Sequence, residues 1–279
     1  MNEMLRNWSM TLCVVLSAVL ATSCDMMHED TDDCPIGLYI TFKYDYNLQR
    51  ADMFNDHVGS VTLYVFDENG NYVTSKEESN TAQSSPLASP TYTMHLTDLT
   101  PGKYKFIALA GQKPYSEMLT TSRAKFVRDI PAYGDPMENL NIQLDRTANG
   151  SVYDIVNNSL PLDTLWHGME TDLIEVSDTR PTYDTISLVR DTKKINVTLR
   201  ELSDPTTMDV ADYDMKITDR NSHILYDNSL DESDVVVYTP HSTWNTEDRD
   251  TAYDSNGNAM EGVGKIAHAD FMTSRILYH

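Results

Sequence analysis

The sequence predicts an all-β protein built as two tandem β-sandwich domains. Three observations carry that expectation. Apolar and polar residues alternate with a period of two along most of the chain, the pattern of strands with one buried face. These short runs are separated by turn dipeptides such as Asn69-Gly70, Pro101-Gly102 and Asn256-Gly257, a spacing that suits sandwiches. Helical periodicity is scarce: residues 116–128 form the best stretch and promise a turn or two.

Taken in order, residues 1–23 read as a removable signal. The apolar run from Val14 to Ala21 leads into Thr22-Ser23-Cys24. It is shorter than the roughly 20 residues a membrane span needs, and small residues precede the cysteine as at a cleavage site. Cys24 is therefore expected to become a lipid-bearing N-terminus. Arg6 is the only basic residue before the run, opposed by Glu3, so a start at Met4 would give a cleaner signal. Residues 24–34 hold Asp25, Glu29, Asp30, Asp32 and Asp33 without a basic residue. Such a segment buries no apolar area and is expected to be a solvated tether.

The first sandwich is placed at 35–148. In 36–44 the even positions are apolar, giving a strand with one buried face. A second strand spans 58–66 and turns at 67–71, where Asn-Gly tolerates positive φ. Residues 75–89, rich in Ser and Pro, read as a mobile loop. Strands follow at 92–99, 103–109 and 140–144. The polar stretch 145–158 is expected to separate the halves. The second sandwich, 149–279, takes strands at 183–189 and 194–199 around a turn at Asp191-Thr192, then 213–217, 224–226 and 235–238, with a last strand at 271–278. Ending on that strand, the second sandwich is expected to be incomplete, through truncation or because a partner strand finishes it.

The net charge is −22. A chain this acidic repels nucleic acid and anionic headgroups, so no nucleic-acid partner is expected and attachment to a membrane must come from acyl chains. Of three cysteines, Cys13 leaves with the signal and Cys24 is acylated. Cys34 is left alone and cannot form an intrachain disulfide; it is expected to pack near the first strand.

No motif calls for an enzyme, a metal or a cofactor. G-x-S-x-G and H-E-x-x-H are missing. The run from Gly262 to Ile266 superficially matches a phosphate loop, but Ala259 replaces the first glycine and no Ser or Thr follows Lys265. Residues 67–71 offer oxygen ligands, yet the glycine is misplaced for an EF-hand loop, so a hairpin turn is the better reading. His95 reads as a surface or satisfied strand residue. Trp166 and Trp244 survive cleavage and read as core or cross-strand partners. Thr164, Thr185 and Thr251 each follow an aspartate and precede an apolar residue, which resembles the short O-glycosylation acceptor of Bacteroidota. Thr251, in an acidic loop, is the preferred acceptor.

Several segments together carry a family resemblance. They are the leader ending in Cys24, DCPIGLYITFKYDYN at 33–47, ADMFNDHVGSVTLYVFDENGNYV at 51–73 and LTPGKYKFIALAG at 99–111. In the second half LWHGM at 165–169, RDTKKINVTLREL at 190–202, DYDMKITDRN at 212–221 and FMTSRIL at 271–277 add to it. The chain resembles the FimB-type fimbrial subunits of Bacteroidota, lipoprotein anchor and accessory subunits of fimbriae. The resemblance implies two transthyretin-like (Ig-like) sandwiches, a lipid anchor at Cys24 in the outer membrane, and other fimbrial subunits as partners joined by strand donation. The acidic tether resembles the export signal that carries such lipoproteins to the cell surface. The family supplies no catalytic residues. Two other functions compete: a surface glycan-binding lipoprotein of a carbohydrate-uptake system, which would need an exposed aromatic platform, and a lipoprotein hydrolase, which lacks its nucleophile motif.

Overall fold

The computed structural model describes residues 36–156, 160–201, 203–248, 256–258 and 264–276. The chain is almost entirely β. It begins with β1 (Leu38–Lys43), a one-turn helix α1 (Phe54–His57), and the hairpin of β2 (Ser60–Asp67) and β3 (Tyr72–Ser79). There follow β4 (Met94–Leu96), β5 (Gly102–Gly111), a short helix α2 (Tyr115–Thr120), β6 (Phe126–Asp129), β7 (Asn141–Leu144), β8 (Arg146–Asn149) and β9 (Val152–Ile155). The second half supplies β10 (Trp166–Val176), β11 (Thr182–Ser187), β12 (Val189–Arg190), β13 (Thr192–Arg200), β14 (Ile217–Asp219), β15 (His223–Ile224), β16 (Leu230–Asp231), β17 (Val236–Tyr238), β18 (Ser242–Asp248) and β19 (Gly264–Ser274). Among the described residues no helix is long and apolar enough to cross a membrane.

The local reading of the first half holds at its start. Leu38, Ile40 and Phe42 of β1 are buried while Tyr39, Thr41 and Lys43 alternate with them. The β2–β3 turn forms at 67–71, with Gly70 at φ 85°. There Asp67 Oδ1 accepts from the backbone N–H groups of Asn69 and Asn71 at 2.9 and 2.8 Å. That carboxylate is engaged by its own turn.

Sheet order shows where the two halves meet. An outer sheet runs β11-β1-β4 and a central one runs β12-β10-β5-β2-β3. Between them lies a first core with Ile40, Leu63, Phe106, Trp166 and Ile186. The other face of the central sheet carries Tyr64, Phe66, Ile107 and Leu109 into a second core with Phe126, Ile142, Tyr238 and Phe271. Three further sheets wall that core: β16-β15-β7-β6, β14-β17-β9-β8 and β13-β19-β18. So β2, buried at seven consecutive positions, has two packed faces. Its sequence SVTLYVF is nearly continuous in apolar and aromatic residues, which marks burial on both sides.

This arrangement moves the division drawn at 148/149. Strands β10 to β12 belong to the first half's sheets, β10 pairing with β5 from Trp166↔Ala110 to Val176↔Gly102, and β11 lying parallel to β1. Strands β6 to β9 go to the second core's sheets. The physical reason is long-range pairing: each half completes its sheets with strands from the other. Gly168 permits part of this. A Cβ there would lie 2.7 Å from Ile186 Cγ2 and 2.8 Å from Ser187 O, so only glycine lets β10 approach β11 so closely.

Other local expectations are refined. Residues 75–79 of the anticipated mobile loop belong to β3, and Leu87 in the same stretch is fully buried in a 3-10 turn. Within the polar stretch 145–158, Arg146 to Ile155 fold as the β8–β9 hairpin, turning at Gly150 with φ 64°. The anticipated turn at Asp191-Thr192 is buried. The helix expected within 116–128 is the six-residue α2, after which the chain turns into β6.

Candidate functional site

Among the described residues the β13-β19-β18 sheet has two open edges. Strand β19 pairs with β13 from Thr192↔Ser274 to Arg200↔Ile266 and with β18 from Ser242↔Asp270 to Asp248↔Gly264, so Ile266 to Asp270 have partners on both sides. Strand β19 is therefore central over that span, while Phe271 to Ser274 pair with β13. Among the described residues β13 and β18 each have one neighbour, so their outer N–H and C=O groups line the edges.

This sheet has a packed and a polar face. Ala267, Ala269 and Phe271 are buried against the second core. Opposite them Trp244 stacks on His268 at 5.1 Å and 10°. His268 lies 2.8 Å from Thr246 Oγ1 through Nε2 and 3.3 Å from Thr198 Oγ1 through Nδ1. Asn196 Nδ2 donates to Asp270 Oδ1 at 2.8 Å. These cross-strand contacts bind three strands into one stiff unit.

The outer sheet carries the other notable surface. Tyr39 stacks on His95 at 4.1 Å and on Tyr183 at 4.9 Å. The three rings stand in register across β4, β1 and β11. Tyr39 has both faces covered by its neighbours, while Tyr183 at the end of the row is exposed. Trp166 is 1 % exposed and offers no platform. Trp244 covers His268 with one face and is itself exposed.

A buried polar junction lies where β10 meets the second core. His167 Nε2 donates to the Tyr226 carbonyl at 2.9 Å, and burial drives its pKa down to about 4. Asp191 is fully buried; burial pushes its carboxyl up to about 7 against the pull of Arg275 and Asn228. Arg275 Nη1 stands 3.7 Å away, and the Asn228 amide reaches both carboxylate oxygens at 3.3 and 3.2 Å. No motif pointed to this pair, because ordinary spacing hides which Asp and His become buried.

Cys24, Cys34 and Thr251 lie outside the described residues. Thr164 is 5 % exposed, so the folded chain closes it to a glycosyltransferase. Thr185 is exposed on the uncovered face of β11, where a glycan would not interrupt packing. Among the described residues, no group of three or more His, Cys, Asp or Glu is placed to hold a metal ion.

A family model described as fimbrillin-A associated anchor proteins Mfa1 and Mfa2 matches residues 31–278. No curated protein matches the chain in sequence. Among solved structures, the chain is similar to a candidate polysaccharide-binding protein of Bacteroides thetaiotaomicron. Identity is 29%, coverage 87% of this chain and 72% of that one, and the TM-score 0.65. A candidate adhesin of the same organism is 27% identical, with 88% and 73% covered and a TM-score of 0.66. The fimbrial anchor protein Mfa2 of Porphyromonas gingivalis, at 15% identity, 88% and 75% coverage and a TM-score of 0.58, shares the fold.

Proposed function

Because the chain belongs to the family of fimbrillin-A associated anchor proteins, we propose that it is a lipid-anchored fimbrial subunit of the outer membrane. It holds fimbriae to the cell surface and joins other fimbrial subunits by strand exchange, supporting adhesion. The observation that carries this reading is the family match across residues 31–278. The two edges of the β13-β19-β18 sheet are where a donated strand would find unpaired backbone groups. Cys24 supplies the anchor and the acidic residues 25–33 the spacer that keeps the fold clear of the bilayer.

The test is Cys24→Ala in cells. The variant should lose radiolabelled palmitate and membrane retention, and fimbriae should appear in the medium. Unchanged label and retention would remove the lipid anchor from the proposal. A second reading, a glycan-binding surface lipoprotein, draws on the likeness to the candidate polysaccharide-binding protein. The exposed aromatics Trp244 and Tyr183 stand on separate sheets rather than on one platform, which weighs against it, and retardation in glycan-containing gels would support it.

A further inference from the structure

A cleft of about 470 Å³ opens where the two cores meet. Its walls come from α1, the segment before β10, β12, β13 and β19. Arg123, Arg190 and Lys194 line it together with His57 and His241, and among the described residues Asp270 is the one acidic residue lining it. The chain as a whole carries 43 Asp and Glu against 21 Lys and Arg. The cleft reverses that balance. Asp163 sits behind Arg123 at 2.8 Å, so three permanent cations still face two carboxylates, and Asn196 already holds Asp270.

Arg123 is paired with Asp163; Arg190 and Lys194 are the cations available to a ligand. Among the described residues the exposed Lys194 ammonium has no hydrogen-bond or ion-pair partner. Arg190 Nε donates to Thr192 Oγ1 at 3.1 Å, which orients the guanidinium and leaves its terminal nitrogens without a protein acceptor among the described residues. Leu162, Phe271 and Met272 also line the cleft and are largely buried, giving it an apolar floor. The volume falls in the range of small-molecule sites and equals roughly 15 waters at about 30 Å³ each, room for one or two sugar rings. In a chain that repels anions overall, only a local reversal of charge can hold one.

We propose that this inter-core cleft binds an anionic saccharide, its carboxylate or sulfate held by Arg190 and Lys194 and its ring resting on the apolar floor. The cleft shares β13 with one of the open strand edges, but the proposal does not rest on the fimbrial reading. Calorimetric titration of the detergent-solubilised full-length protein tests it, with digalacturonate and a sulfated disaccharide as the two anionic probes. At least one should bind, more weakly as salt rises. Lys194→Gln, a surface change with no contact to lose, should weaken binding about tenfold. Lys103→Gln, on β5 outside the cleft, should leave it unchanged. Equal binding of neutral lactose, or of inorganic sulfate alone, would overturn the proposal, as would tighter binding of hexaglutamate, which would make the cleft a peptide dock. Silence with both anionic probes, or a Lys194→Gln protein that binds as the parent does, would overturn it too.

Discussion

Asp191 and His167 lie in one buried junction and titrate in opposite senses. The folded-state value of Asp191, about 7, stands above its ordinary 3.8. Its contribution to stability is therefore present in full below that ordinary value and lost as pH rises through 7. For His167 the folded value, about 4, lies below 6.5. Its contribution is present above 6.5 and lost as pH falls through 4. Between pH 4 and 6.5 the two oppose each other. Relative to the parent, His167→Gln should gain stability as pH is lowered from 7 to 4.5, while Asp191→Asn should lose it. Urea midpoints at the two pH values check both signs; parallel shifts in both variants would show that these groups do not titrate as described. Buried Arg128 sets a different residue-level pattern. It lies over the Tyr115 ring at 4.3 Å and donates to Thr62 Oγ1 at 3.1 Å, so ring and hydroxyl replace the water its charge gave up.

Single strands were legible where one face is wet. The alternation of β1 and the Asn69-Gly70 turn could be read directly, because both depend on residues two or three apart. Strands β2 and β5 were legible as strands, but their second buried face was not read, although the unbroken run VTLYVF signals it. Residues 75–89 misled through composition: Ser and Lys on β3 face water while its backbone still pairs with β2. Gly168 tests packing at this scale. Gly168→Ala should cost about 1–3 kcal/mol, since the new methyl meets Ile186 and a backbone carbonyl. A fall in the denaturation midpoint at constant m-value would show it, and an unchanged midpoint would mean that β10 and β11 are less tightly apposed.

The central five-stranded sheet belongs to both cores, which makes the molecule one folding unit. Ile107 faces the second core from a strand that also lines the first. Ile107→Ala should cost about 2–5 kcal/mol and lower a single thermal transition seen by calorimetry. Two separate transitions, only one of them shifted, would show that the halves unfold independently. The sequence by itself determined the all-β class, the positions of strands such as β1, β2, β5, β7 and β13, and the family, because alternation, turn chemistry and motif strings are local. Strand β10 and the β8–β9 hairpin were not among the expected strands. The candidate anchor at Cys24 is equally local. Only the tertiary structure decided that β11 lies beside β1, that the cut at 148/149 passes through shared sheets, and that Arg123, Arg190 and Lys194 line one cleft. Those outcomes depend on pairings between residues far apart in the chain, and a period-two pattern states that a strand has a buried face without naming the strand that covers it.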